Sequence, residues 1–158
     1  MSQSKELSIR KMRWKLFLLG AFKIPMIGFI RPRLVDLNDV EASIKIKLRR
    51  RSKNHLKSMY FGALSVGADV SAGLHAFYFA EKMGKKVSFA FKGMKVDFLM
   101  RAETDIMFTS QQGMLVEQAM LDSLKQGERV NRPIQVIATN THGDIVARFE
   151  LIISVRVK

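Results

Sequence analysis

Residues 60–83 limit what this chain can fold into more than any other stretch. From Tyr60-Phe61-Gly62-Ala63-Leu64-Ser65-Val66-Gly67-Ala68 the chain runs on through small and apolar side chains to Met83, with Asp69 as its one acid before Glu81. Read as a single helix, the run is apolar all round, the pattern of a helix that the rest of a fold wraps. It has the length of a membrane span, but a carboxylate near its middle would cost about 3 kcal/mol in lipid, so a buried helix of a water-soluble domain is expected.

Asp69 needs a reason to be there, because an ionised carboxylate on such a helix is unfavourable unless it is paired, hydrogen-bonded or facing a wet cleft. Gly62, Ser65, Val66, Ala72, Gly73 and Ala76 lie near it at helical spacing and are all small, so something approaches closely. Either neighbouring structure packs on this stripe and a backbone amide satisfies the acid, or the stripe is a ligand slot with a carboxylate in its wall.

Composition narrows the chemistry. The chain has 158 residues and is 47% hydrophobic, enough for one domain with a real core. It has no cysteine, which removes disulfides and thiolate chemistry, and His55, His75 and His142 form no metal-ligand spacing, so no metal site is expected. The net charge of +13 is uneven: residues 1–57 carry 15 Lys and Arg against 4 Asp and Glu, and residues 58–158 carry 12 against 10. A basic first third attracts polyanions in general, whether nucleic acid, anionic lipid or a phosphorylated cofactor.

In the N-terminal region, Lys5, Arg10, Lys11, Arg13 and Lys15 precede Leu16-Phe17-Leu18-Leu19-Gly20-Ala21-Phe22, which superficially resembles a signal peptide. Lys23 and Pro25 interrupt the apolar run, no clean small-x-small cleavage site follows, and the run is too short to span a bilayer, so a cytoplasmic protein is expected. An amphipathic helix is predicted from about Ser4 to Phe22, broken before Pro25. It either covers an open surface of the domain or lies on an anionic membrane, with Trp14 and its basic neighbours as the motive.

The rest reads mainly as strands. Arg33–Leu37 is a short strand, Asn38-Asp39 a turn, and residues 41–50 alternate, with Ala42, Ile44, Ile46 and Leu48 inward and Ser43, Lys45, Lys47 and Arg49 outward. Gly84-Lys85-Lys86 stops the long helix, residues 87–96 form a strand with Gly93 as a bulge, and residues 98–109 continue extended. Residues 113–125 fit a helix or a strand followed by a turn. Residues 129–139 and 145–157 are strands around the turn at His142-Gly143-Asp144. The fold class is α+β: a long central helix wrapped by a curved, mostly antiparallel sheet, with residues 1–30 as a helical extension and 31–158 as the main domain.

This order of elements and the residues from Asn54 to Asp69 resemble the hot-dog fold, specifically its phenylacetyl-CoA-type acyl-CoA thioesterases and a related domain family of unknown function. In those enzymes the loop before the helix looks like Asn-x-x-Gly-x-x-His-Gly-Gly, with an Asp seven residues after the second Gly of the His-Gly-Gly end. Asn54, Gly62 and Asp69 match at that spacing, Lys57 stands for the first Gly, and Tyr60-Phe61 stands for His-Gly. Val96-Asp97-Phe98-Leu99-Met100-Arg101-Ala102 and Thr141-His142-Gly143-Asp144-Ile145-Val146-Ala147 are similar to two further runs of these proteins.

The resemblance implies thioester hydrolysis with Asp69 as general base or nucleophile, lent across a dimer interface to a carbonyl held at the N-terminus of the other subunit's helix. The amide of Gly62, in the first helical turn, suits an oxyanion donor, Asn54 would orient the water or carbonyl, and Tyr60 can still donate a hydrogen bond. Arg49, Arg50, Arg51, Lys53 and Lys57 would take the phosphates of coenzyme A, which is substrate here and not a bound cofactor, or they are a solvated strand end. Met59, Phe61, Ser65 and Phe77 would line the acyl site, or belong to the core. Three functions are expected to compete: an acyl-CoA thioesterase for a medium or long chain, a non-catalytic acyl-thioester binder, and a basic surface binder of membrane or, less in keeping with the sequence, nucleic acid through residues 1–57. Self-association as a dimer or tetramer is expected with the first.

Overall fold

The long apolar run is one helix, and the other elements are arranged around it. The computed structural model describes the backbone of residues 2–158 and the side chains from Ile9 onward. In chain order the elements are α1 (Ser2–Leu18), a π-helical turn (Leu19–Lys23), α2 (Pro25–Ile30), β1 (Arg33–Leu37), β2 (Ala42–Ile46), α3 (Phe61–Met83), β3 (Val87–Phe98), β4 (Ile106–Ser110), α4 (Gly113–Gln126), β5 (Val130–Thr139) and β6 (Ile145–Val157). The strands form one sheet in the order β1-β2-β4-β5-β6-β3, with every neighbouring pair antiparallel.

The bounds of α3 follow local rules. Tyr60 is still extended (φ −62°, ψ 139°), and the helix ends where Gly84 turns left-handed at φ 61°, with the amides of Gly84 and Lys85 bonding back to the last turn. Its inner face packs on the sheet around Phe79, Phe108 and Phe149, all fully buried. Helix and sheet come close at Gly67: a Cβ there would lie 2.4 Å from the Phe108 ring. Two side chains of α3 also hold the β1–β2 turn. The buried His75 meets the Asn38 carbonyl through Nε2 at 3.0 Å, and Tyr78 donates to the Asp39 carboxylate at 2.6 Å.

The sheet curves at its irregularities. Register shifts interrupt β1/β2 between Leu34 and Asp36, β3/β6 between Phe91 and Gly93, and β5/β6 between Ala138 and Thr139. Each bulge adds local twist and bends the strand. The expected bulge at Gly93 is therefore present, and the segment left open between helix and strand is the helix α4.

Four expectations change. The N-terminal helix ends earlier, at Leu18, passes through a π turn, and restarts at Pro25, because proline at the first helical position has no amide to lose. The strand expected over residues 41–50 stops at Ile46: the Leu48 amide donates to the Asp105 carboxylate, and Ser52 bonds to the Lys47 carbonyl, so side chains replace the ladder. Ser43, expected outward, is buried between Glu41 and Thr109, to both of which its hydroxyl bonds. Residues 99–105 are not a continuous strand, since Leu99 and Met100 both turn their amides to the Val146 carbonyl.

Helices α1 and α2 share the main core through Met12, Leu16, Ile27 and Ile30. Lys11 and Lys15 both pair with Glu81 of α3, which holds that carboxyl down at about 2.

Candidate functional site

The loop before α3 is built by its own polar groups. The Asn54 side-chain oxygen accepts from the amides of Leu56 (2.9 Å) and Ser58 (3.2 Å) and from the Ser58 hydroxyl (3.2 Å), which closes a tight turn. Lys57, in the position of the resembled family's first Gly, is left-handed at φ 63°, so the loop keeps a shape that glycine adopts without strain. Backbone bonds from Tyr60 to Ser52 and from Met59 to Ala102 then aim the chain into the helix. Asn54 thus commits its oxygen to the loop and leaves only its amide nitrogen for a ligand.

At the start of α3 no side chain caps the helix, and the amides of Phe61, Gly62 and Ala63 have no acceptor among the described residues. Free amides of this kind, with the helix dipole behind them, favour negative charge. The Tyr60 ring lies over Gly62, where a Cβ would meet it at 2.5 Å, and packs against Phe61 at 4.6 Å between centroids. Tyr60 and Phe61 are both exposed, and Ser65 donates its hydroxyl back to the Phe61 carbonyl.

Asp69 sits two turns further along. Its side chain is partly buried and lines a cavity of about 630 Å³ between α3, β3 and the N-terminal helices. The walls are largely apolar: Leu16, Leu19 and Ile27 from the N-terminal segment, Phe77 from α3, Phe89 and Phe91 from β3. Among the described residues no donor or cation reaches the Asp69 carboxylate, and burial alone raises its pKa above the usual 3.8. The two lysines in the lining, Lys15 and Lys23, do not pair with it, and Lys15 is taken by Glu81. The backbone satisfaction weighed for Asp69 is thus absent here, and the carboxylate opens on a space of ligand size.

Of the residues singled out in the sequence, Asp69 and Phe77 meet in this cavity. Asn54 and Tyr60 stay in the loop before the helix, and Phe61, Gly62 and Ser65 in its first turns, and none of them lines the cavity. Met59 is buried beneath the loop as core. Arg50, Lys53 and Lys57 are exposed on the loop, whereas Arg49 and Arg51 face a second, larger groove beside α1 and α2. The sequence reading missed the β3 and N-terminal walls of the Asp69 cavity. Val87, Phe89 and Phe91 alternate and so share one face of β3, which is the one signal that could have named that wall. His75 was also passed over; burial holds its ring neutral, below the usual 6.5.

The fold has close structural relatives of low sequence identity. A thioesterase candidate from Shewanella oneidensis superposes with a TM-score of 0.78 at 12% identity, covering 96% of this chain and 99% of that one. A protein of unknown function from Chlorobaculum tepidum gives 0.80 at 9% identity, covering 94% and 96%. A Pseudomonas aeruginosa protein of unknown function, described as a probable thioesterase, gives 0.73 at 19% identity, covering 94% and 95%. These relationships establish the hot-dog fold. No curated protein matches the chain in sequence. A family model does match, over residues 13–155, and the chain therefore belongs to the family of the domain of unknown function DUF4442.

Proposed function

We propose that the protein hydrolyses an acyl-CoA thioester of medium or long chain in the cytoplasm, with Asp69 as general base or nucleophile, in a dimer or larger assembly. The observation that carries this reading is the Asp69 carboxylate, unpartnered among the described residues, in the wall of a largely apolar cavity of about 630 Å³. Apolar walls suit an acyl chain, and a base beside them suits its carbonyl carbon. Burial raises the carboxyl toward working pH, which makes the ionised form a stronger base.

As base, Asp69 takes a proton from water while the water oxygen bonds to the carbonyl carbon and the C=O electron pair moves to oxygen. When the tetrahedral species collapses, the C–S bond breaks and the thiolate leaves with that proton. The oxyanion needs donors. Gly62 offers an amide, but it lies seven residues from Asp69, about 10 Å along the helix, and outside the cavity. The reading therefore requires the start of α3 from a second copy, bringing Gly62, Tyr60 and Asn54 to the carbonyl and Arg49, Arg50, Arg51, Lys53 and Lys57 to the phosphates of coenzyme A. Phe77, with Phe61 and Ser65 of the second copy, would flank the acyl chain. Strand β3 supports such pairing, since it is a long sheet edge with Met94 and Phe98 exposed and Leu99 and Met100 exposed just beyond it.

The test is a panel of acyl-CoAs of increasing chain length with wild type and Asp69→Asn. Hydrolysis that disappears in the variant supports the reading, whereas equal rates in both, or a monomer in solution that is fully active, would end it. One observation favours a binding-only role: the Tyr60 ring covers Gly62 where the resembled family has a smaller turn. Saturable acyl-CoA binding without turnover would select it.

A further inference from the structure

The N-terminal segment carries a surface that the reaction does not use. The π turn and α2 cross at backbone contact, because a Cβ on Gly20 would lie 2.8 Å from the Gly28 nitrogen. The result is a helical hairpin whose outer side chains have nothing to cover. Trp14, Phe17, Phe22, Met26 and Phe29 are each at least 57% exposed, and Phe22, beside the bend, is 78% exposed. Trp14 and Phe17 stack at 5.5 Å. One exposed apolar residue needs no explanation, but five of the largest types within sixteen residues do.

Beside this face runs a groove of about 960 Å³ between the hairpin and the ends of β1 and β2. Phe17 and Phe29 belong to its lining, and so do Arg13, Arg31, Arg33, Lys47, Arg49 and Arg51, with no acid among the described residues. Among the described residues none of these six cations has a carboxylate partner. Arg51 donates to the Phe29 carbonyl at 3.0 Å and stands 5.3 Å over the Phe29 ring, so an apolar and a cationic group are held together.

We propose that this hairpin and groove dock the protein on an anionic phospholipid bilayer, with the aromatic and Met side chains in the interface and Arg13, Arg31, Arg33 and Lys47 on lipid phosphates. The proposal is independent of the thioesterase reading. Charge complementarity selects the occupant. A second copy pairing by two-fold symmetry would set the six cations against their own images. A nucleic acid would use the cations but leave the bend residues Phe22 and Met26 in water, whereas an interfacial helix uses both groups at once. Leu16 and Ile27 line both the groove and the Asp69 cavity, so the docked hairpin is also a wall of that cavity.

The chain has one tryptophan, Trp14, and it lies on this face, so its fluorescence reports docking without a label. The full chain is titrated with vesicles of phosphatidylcholine alone, with vesicles that also contain phosphatidylglycerol, and with a single-stranded oligonucleotide. A blue shift with the anionic vesicles only is expected. Phe22→Ser with Met26→Ser should weaken partitioning at least about ten-fold. Arg31→Gln, Arg33→Gln and Lys47→Gln together should weaken it about a hundred-fold, at roughly five-fold per cation. All five positions are on the surface, and circular dichroism checks that the variants fold. No shift with anionic vesicles, or a shift unchanged in the Phe22/Met26 variant, overturns the proposal. So does tighter binding of the oligonucleotide than of the vesicles, or a self-association that the Phe22/Met26 variant abolishes.

Discussion

Replacing Asp69 by Asn should raise stability while it removes hydrolysis, and the pH dependence of the gain identifies the cause. Among the described residues no donor and no cation reaches the carboxylate, and burial raises its pKa. Sealed in an apolar interior, an isolated carboxylate would cost tens of kcal/mol by continuum reckoning, but Asp69 borders an open cavity and keeps part of its hydration. The gain on neutralisation at pH 7 is therefore placed at the size common for a single stabilising substitution, about 0.5–2 kcal/mol. At this chain length each kcal/mol moves the Tm by about 2–4 °C.

The sign works as follows for a carboxyl raised above its unfolded value of 3.8. Below that pH both states are protonated and the group costs nothing. As pH rises, the unfolded chain ionises first, so the wild type loses stability relative to Asp69→Asn until the folded carboxyl ionises as well, and the difference then stays constant. Urea denaturation of both proteins between pH 4 and pH 8 measures this directly, with hydrolysis expected to fall about 10²–10⁴-fold in the variant. A variant that is less stable than wild type at pH 7 would mean that the carboxylate has a stabilising partner. The account of the site would then be wrong.

Other outcomes follow from the same structure. Lys57→Gly should stabilise by about 0.5–1 kcal/mol in thermal melts, because the left-handed backbone strains lysine by more than glycine loses in unfolded-chain entropy; Lys57→Ala, which keeps the strain, should be near neutral. Gly67→Ala gains about 1 kcal/mol of helix propensity but sets a methyl 2.4 Å from the buried Phe108 ring, and overpacking of about 1–3 kcal/mol should win in denaturant titrations. His75 is kept neutral by burial, with its pKa below 6.5, so stability is full above that pH. It should fall with acidification by up to about 1.4 kcal/mol per pH unit, a slope that His75→Gln should reduce.

Much of the architecture can be read along the chain because its causes are local. The start of α3 next to Tyr60, its stop at Gly84, the bulge near Gly93 and the turn at Gly143 each depend on residues a few positions apart. Asp69 is equally plain, since a carboxylate amid the apolar run ahead of Glu81 is visible in any order of reading. Local signals failed where side chains reach across the fold. Asp105 ends β2 early by taking the Leu48 amide from 57 positions further along the chain.

Sequence alone determined a long buried helix with one acid ahead of its last turn, a set of mainly antiparallel strands, and a cationic first third. Tertiary structure decided what each of these faces. The Asp69 cavity joins residues from Met12 to Phe91, and the cationic groove joins Arg13 to Arg51. Neither can be seen from periodicity, which reports which residues share a face. How closely two faces approach depends on backbone contacts such as Gly20 on Gly28 and Gly67 under Phe108, and those exist only once the chain has folded.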